Sequence, residues 1–225
     1  RVDAVVAMSA KDAGIIRPAA RVVMLPNGVD ISRFEPSSVA PDPKGLLFIG
    51  SFAHLPNVLA LDYFLREVWP LLPPGYKLHV IAGSRPEYYL DFYRARVAPD
   101  LNRPEIELEA FVSDVRPAYC RAAIVLAPLT ASAGTNIKVL EAMAMGRAVV
   151  STPQGINGLD LSSGSDVIVA DSPGAMAKAI EELSRNPELR RQIERNARQT
   201  ALAFDWRSIA RRQSALYHQL YAETT

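Results

Sequence analysis

Three short segments of this chain, residues 45–50, 122–128 and 148–151, are apolar at nearly every position, and a fourth, 76–82, is apolar around Lys77 and His79. A strand with one wet face alternates apolar and polar residues, whereas a strand that is apolar throughout must bury both faces. Between these segments lie stretches with helical spacing at 56–69, 87–97, 114–121 and 136–145, the first with proline in its opening turn. Apolar strands alternating with helices predict a parallel sheet covered on both faces, a doubly wound, Rossmann-like α/β domain over about residues 42–205. Further strands are expected at 2–8, 21–25, 106–110 and 167–170, and helices at 173–184, 187–203 and 206–221. Residues 32–44 contain Pro36, Pro41 and Pro43 with three serines and read as a linker. No repeat of fixed period is present.

Composition narrows the function classes. The 25 basic residues against 24 acidic ones leave no bulk charge to attract nucleic acid or an anionic membrane. The longest apolar runs fall far short of the ~18 residues of a membrane span. The single cysteine, Cys120, excludes an internal disulfide, and no set of Cys and His has zinc-site spacing. The first residues lack the pattern of a signal peptide, and without a Met the chain reads as part of something longer. The expectation is a soluble, cytoplasmic, globular protein with no nucleic-acid partner.

In doubly wound folds ligands bind beyond the carboxyl ends of the strands. Those loops fall at residues 50–54, 83–85, 111–114 and 128–135. The last runs through Ala131-Ser132-Ala133-Gly134-Thr135-Asn136 into Ile137-Lys138-Val139-Leu140-Glu141. Small residues let backbone N–H groups approach a ligand, and a helix N-terminus behind them favours an anion such as phosphate. Lys138 and Glu141 share a helical face, so a Lys beside phosphate and a carboxylate on ribose hydroxyls would together hold a nucleotide. The alternative is an ordinary helix start with an i,i+3 ion pair. Only five of the 25 basic residues are Lys, and this one lies among Ile137, Val139, Leu140 and Met143, where a charge needs a partner or a ligand.

The segment from Gly134 through Thr135, Lys138, Leu140-Glu141-Ala142-Met143-Ala144 to Gly146 resembles the donor-binding signature of GT-B glycosyltransferases of family 4. Pro26-Asn27-Gly28-Val29-Asp30 is similar to that family's interdomain segment. Phe48-Ile49-Gly50-Ser51, His54 and Pro56-Asn57 resemble its opening strand and loop, and Phe111-Val112-Ser113-Asp114 its nucleobase loop. The resemblance implies a donor-binding C-terminal half of a two-domain enzyme. Residues 1–31 would be the tail of the acceptor domain, 32–41 the linker, 42–205 the donor domain, and 206–225 a helix crossing back. It also implies sugar transfer, with retention at the anomeric carbon, from a UDP-, GDP- or ADP-sugar to a glycan, lipid or small-molecule acceptor. No metal and no tightly bound cofactor are implied.

By the same resemblance Lys138 and Glu141 carry the chemistry, Lys138 at the diphosphate and Glu141 at the ribose. Donor contacts are expected from Gly50, Ser51, His54, Asn57, Gly83, Arg85, Val112, Ser113, Ala133, Gly134, Thr135 and Asn136. Two departures stand out. The first carboxylate of the family's Glu-x7-Glu pair falls at Ala133, and the first loop lacks the Arg and Lys of many relatives, a charge that Arg85 would have to supply. Other readings are a non-catalytic nucleotide-binding module and a sugar-nucleotide epimerase of GT-B type. A dinucleotide dehydrogenase is disfavoured, because Gly50-Ser51-Phe52-Ala53-His54-Leu55 is not Gly-x-Gly-x-x-Gly.

The remaining candidates have blander readings. His79 in its apolar strand reads as structural, His218 as a surface or packing residue, Cys120 as a buried thiol and Asp114 as a helix N-cap. The aromatic residues of 88–93 read as helix packing. Arg190, Arg191, Arg195, Arg198, Arg211 and Arg212 read as a solvated face, or else as a surface for peripheral contact with phospholipid or docking to the acceptor domain.

Overall fold

The computed structural model describes residues 2–16, 21–131 and 134–224. Its centre is a six-stranded, wholly parallel sheet in the order β5-β4-β3-β6-β7-β8. The strands are β3 (Asp42–Ile49), β4 (Lys77–Ile81), β5 (Ile106–Glu109), β6 (Ala122–Ala127), β7 (Ala148–Ser151) and β8 (Ile168–Val169). Every residue of β6 and β7 is buried.

Alternate residues of the strands divide the core into two layers. Leu46, Phe48, Leu78, Val80, Ile124 and Leu126 face one side, where α2 (Leu55–Tyr63) and α6 (Pro173–Arg185) cover them. Leu47, Ile81, Val125, Ala127 and Val149 face the other, under α4 (Arg116–Arg121), α5 (Ile137–Ala144) and α7 (Pro187–Ala201). The doubly wound α/β class expected from the sequence is therefore the observed one. The order reverses between β3 and β6, so the crevice at their carboxyl ends is the topological switch point.

Three local details differ from expectation. Strand β3 begins at Asp42, because Asp42 pairs with Ala122 across a register shift before the apolar run starts. The helix expected over 56–69 is α-helical to Tyr63, a π-helix from Phe64 to Val68 and 3₁₀ from Trp69. Pro70 has no N–H to bond the carbonyl four residues back, and the helix tightens to 3₁₀ at Trp69, the residue before it. Asp114 is not the N-cap of α4. Val115 is, and the Asp114 carboxylate instead accepts from the backbone N–H of Arg116 (3.1 Å) and from its guanidinium (2.7 Å).

A separate two-stranded parallel sheet joins β1 (Ala4–Ala7) to β2 (Arg21–Met24) through α1 (Ala10–Ile15), whose N-cap Ser9 accepts from Asp12 N–H at 3.1 Å. The long helix α8 (Trp206–Thr224) follows Asp205 and reaches this unit. Arg212 donates to the Met24 carbonyl at 2.9 Å, and Arg21 donates to Gln219 at 2.9 Å. At the junction Val29 bridges to Asp205: the Val29 N–H donates to Phe204 O at 2.8 Å and the Trp206 N–H to Val29 O at 3.2 Å. Gly28 is required there, since a Cβ would lie 2.6 Å from Phe204 O and 2.7 Å from Ile209. No helix among the described residues is long and apolar enough to cross a membrane.

Candidate functional site

Strand β6 delivers the chain to the switch point, and α5 leaves it. Asn136 is the N-cap of α5, but its side chain makes no cap bond and instead donates to Gly155 O at 3.2 Å. The Val139 N–H donates to Asn136 O at 3.0 Å, so the first turn is closed by backbone alone and has no side-chain cap. Thr135 packs against Gly158, where a Cβ would stand 3.1 Å from its hydroxyl. Gly134 is exposed, and a Cβ there would meet nothing. Ala133 lies outside the described residues.

Lys138 and Glu141 share one face of α5 without forming an ion pair within 4.0 Å. Lys138 Nζ donates to Asn57 Oδ1 at 3.1 Å and lies 5.4 Å from the centre of the Phe48 ring. Burial lowers its pKa to about 8, an effect the Glu141 charge partly offsets. The carboxylate of Glu141 accepts from Tyr119 OH at 2.9 Å. Burial raises its pKa, while the Tyr119 bond and the charges of Arg33 and Lys138 oppose that rise. Tyr119 is fully buried, and burial together with Glu141 raises its own pKa well above 10, so it remains a donor. Each member of the i,i+3 pair thus has its own partner on a neighbouring element, and the pair's charges are available to a third group.

The loop after β3 is built to bring Asn57 to Lys138. Asn57 Nδ2 donates to Ser51 O at 2.9 Å, which aims its Oδ1 outward to the ammonium. Gly50 makes this possible, because a Cβ there would lie 2.8 Å from Asn57 Cγ. Gly83, at φ +77°, approaches Ser51 so closely that a Cβ would meet its Oγ at 3.0 Å. The structure thus brings Gly50, Ser51, Asn57, Gly83, Lys138 and Glu141 into one connected arrangement. Tyr119 and Arg33 join it unforeseen. The one signal for Tyr119 was an aromatic residue in an otherwise short helix just before a buried strand.

The other expected residues stand apart from this hydrogen-bonded set. His54 is the exposed N-cap of α2 and makes no side-chain cap bond. Arg85 holds the only left-handed φ among described non-glycine residues, +56°, and its guanidinium lies over the Tyr88 ring at 4.5 Å. Val112 packs on the second core layer, and Ser113 is exposed. The aromatic residues of 88–93 divide: Tyr89 and Tyr93 pack on the core, whereas Tyr88 and Phe92 are 50% and 67% exposed. Cys120 is only partly buried, and His218 is exposed.

Among the described residues one group, His79, Glu107 and Glu109, places metal-ligating atoms within 4.8 Å of one another. Arg121 Nη2 lies 3.2 Å from His79 Nδ1 and 4.0 Å from Glu107. A guanidinium only donates, so Nδ1 is the acceptor and Nε2–H donates to Glu109 at 2.7 Å. The cluster is a satisfied network around a structural histidine.

The sequence profile described as "Glycosyl transferases group 1" matches residues 43–186. A glycosyltransferase from Rickettsia africae superposes with a TM-score of 0.78 at 17% identity, covering 97% of this chain and 64% of the other. Sucrose-phosphate synthase from Thermosynechococcus elongatus gives 0.78 at 19% identity, covering 99% and 59%. HepE of Anabaena, in complex with UDP and glucose, gives 0.77 at 16% identity, covering 95% and 62%. An "uncharacterized 44.6 kDa protein in cps region" of Klebsiella pneumoniae is 25% identical over 155 residues, 68% of this chain and 40% of that protein. This chain thus spans less than two thirds of the length of these relatives. The architecture is that of a GT-B Rossmann-like domain, and the chain belongs to the family of glycosyl transferases group 1.

Proposed function

We propose that this chain is the donor-binding part of a retaining glycosyltransferase that moves a hexose from a nucleotide diphosphate sugar to an acceptor hydroxyl. The observation that carries this reading is the pairing of Lys138 with Asn57 and of Glu141 with Tyr119 at the uncapped start of α5, beside the switch point. There the ammonium faces the diphosphate and the carboxylate takes the ribose hydroxyls. Helix N-terminal amides and Lys138 stabilise the charge that develops on the leaving diphosphate. The Gly50–Asn57 loop and Gly83 line the donor, with His54 and Arg85 at its edge and the backbone of Val112 and Ser113 at the base. Ala133, Gly134, Thr135 and Asn136 offer the sugar backbone amides in place of the carboxylate absent at 133. The neighbour crystallised with UDP and glucose makes a UDP-sugar the first donor to try.

Residues 1–31 and α8 fit the tail of an acceptor domain and a helix that crosses back to it. The β1–α1–β2 unit exposes Val6, Met8, Ile15 and Met24, apolar surface that a larger domain would cover. On this reading the chain alone binds donor and turns over little without its acceptor half, which is where the glycan, lipid or small-molecule acceptor sits. The protein works in the cytoplasm, where nucleotide sugars are made.

Calorimetric titration with UDP, GDP and ADP tests the reading. One nucleoside diphosphate should bind, and Glu141→Ala should weaken it at least tenfold while leaving the fold intact; unchanged affinity removes Glu141 from the site. Ala133 favours a second reading, a nucleotide-binding module without turnover. Sugar release by the full-length protein from its preferred donor separates the two.

A further inference from the structure

At the opposite end of α5 from Lys138, about 12 Å away along its eight residues, the chain forms a second concavity. It measures about 750 Å³ and lies between α7 and residues 36–41. Five arginines line it, Arg147, Arg190, Arg191, Arg195 and Arg198, against one carboxylate, Glu194. That is an excess of four positive charges in a chain whose formal net charge is +1.

Internal structure accounts for only part of this charge. Arg198 Nη1 donates to Phe34 O and Ala144 O at 2.8 Å, and Arg147 Nη2 donates to Cys120 O at 3.2 Å. Backbone carbonyls satisfy donors without neutralising a cation. Arg147 is 4% exposed, and its Nε has no hydrogen-bond partner. Arg190 is 8% exposed, and its Nε has no partner closer than Glu194 Oε1 at 3.5 Å. Of the five, Arg190 alone has a carboxylate within 4.0 Å among the described residues. Arg191 and Arg195 are exposed at the rim and, among the described residues, bond only Pro187 O and Gln192 Oε1. Burial raises the pKa of Glu194, and Arg190, Arg147, Arg191 and Arg195 all pull it back, so one carboxylate lies within reach of four guanidinium groups.

We propose that this groove is a second anion site, distinct from the donor site, for a phosphate-bearing ligand. Planar guanidinium forks match phosphate oxygens two at a time. The charge excess suits a ligand carrying more than one negative charge, and the buried pair Arg147 and Arg190 loses an electrostatic cost when such a ligand enters. The phosphate can come from a soluble diphosphate compound or from a lipid headgroup.

The test is a titration of the ¹⁵N-labelled chain with sodium pyrophosphate, reading arginine Nε–Hε resonances, beside sodium chloride of matched ionic strength. Resonances of Arg190, Arg191 and Arg195 should move along one saturating curve with pyrophosphate and not with chloride. The double variant Arg191→Ala/Arg195→Ala changes only exposed side chains, so its fold is retained, and its Kd should rise at least tenfold. Lys138→Met should leave this Kd unchanged, which separates the groove from the donor site. Co-sedimentation with phosphatidylglycerol vesicles, lost in the double variant, would assign the headgroup; pyrophosphate binding without vesicle binding would assign a soluble ligand. An equal response to chloride, an unchanged Kd in the double variant, or no response to either probe overturns the proposal.

Discussion

Replacing Lys138 with Met should stabilise the empty chain while weakening its hold on a diphosphate. The ammonium is desolvated among Phe48, Asn57 and the start of α5, and its pKa falls from 10.5 to about 8. At about 1.4 kcal/mol for each pH unit, keeping it charged at pH 7 costs the native state roughly 3 kcal/mol. The bond to Asn57 Oδ1 returns about 1 kcal/mol, and Met keeps the aliphatic stem. The balance favours Lys138→Met by about 1–2 kcal/mol at pH 7, or about 2–8 °C in Tm for a chain of this size. The sign of the pH dependence is fixed by the same numbers. The native pKa is depressed, so between pH 8 and 10.5 the unfolded chain binds more protons and wild-type stability rises with pH through that window. The advantage of the variant therefore fades toward pH 10.5. Urea denaturation of both chains at pH 7, 8 and 10 measures the difference. A variant less stable than wild type by 1 kcal/mol or more at pH 7, or a difference that does not change between pH 8 and 10, refutes the reasoning.

Three further substitutions probe the supports of the site. Gly50→Ala places a Cβ 2.8 Å from Asn57 Cγ, so Asn57 must shift and release Lys138; calorimetry should find nucleoside diphosphate affinity down at least tenfold. Tyr119→Phe removes a fully buried donor from Glu141 and should cost about 1–3 kcal/mol in denaturant unfolding, with weaker nucleotide binding. Arg198→Ala leaves the carbonyls of Phe34 and Ala144 unpaired and should lower stability by about 2–4 kcal/mol, read as a lower denaturation midpoint at unchanged slope.

The fold was legible where burial on both faces left the strands no choice. Ala148–Ser151 falls where its apolar run predicts, and β6 differs by a single residue. Ends set by register rather than by apolarity were not legible, as with Asp42, whose strand pairing depends on Ala122 eighty positions away. At the site, Lys138 and Glu141 were legible as neighbours on one helix turn because local periodicity places them. Their partners were not. Asn57 lies 81 residues from Lys138 and Tyr119 lies 22 from Glu141, and only the sheet order brings them together. The i,i+3 spacing suggested an ion pair, but each side chain found a better-placed partner on another element. The arginine-rich end was legible only in part: Arg191, Arg195, Arg211 and Arg212 are exposed as a solvated face requires. Arg190 and Arg198 turn inward, Arg212 bonds Met24, and Arg147, far off in sequence, completes the groove.

The bridge between Val29 and Asp205 bears on the order in which the molecule assembles. Its two hydrogen bonds join strands of chain about 175 residues apart, and closing a free loop of that length costs roughly 4–5 kcal/mol in chain entropy alone. The six-stranded sheet lies wholly between the two ends, and most of its pairings connect neighbouring β-α-β units. Once that sheet has formed, its own rigidity delivers residues 29 and 205 to each other and the long closure has already been met piecemeal. During synthesis the junction waits until residues 204–206 have emerged. The α8 contacts of Arg212 with Met24 and of Arg21 with Gln219 wait longer still, so the junction closes before them, with Gly28 inside it and no room for a Cβ.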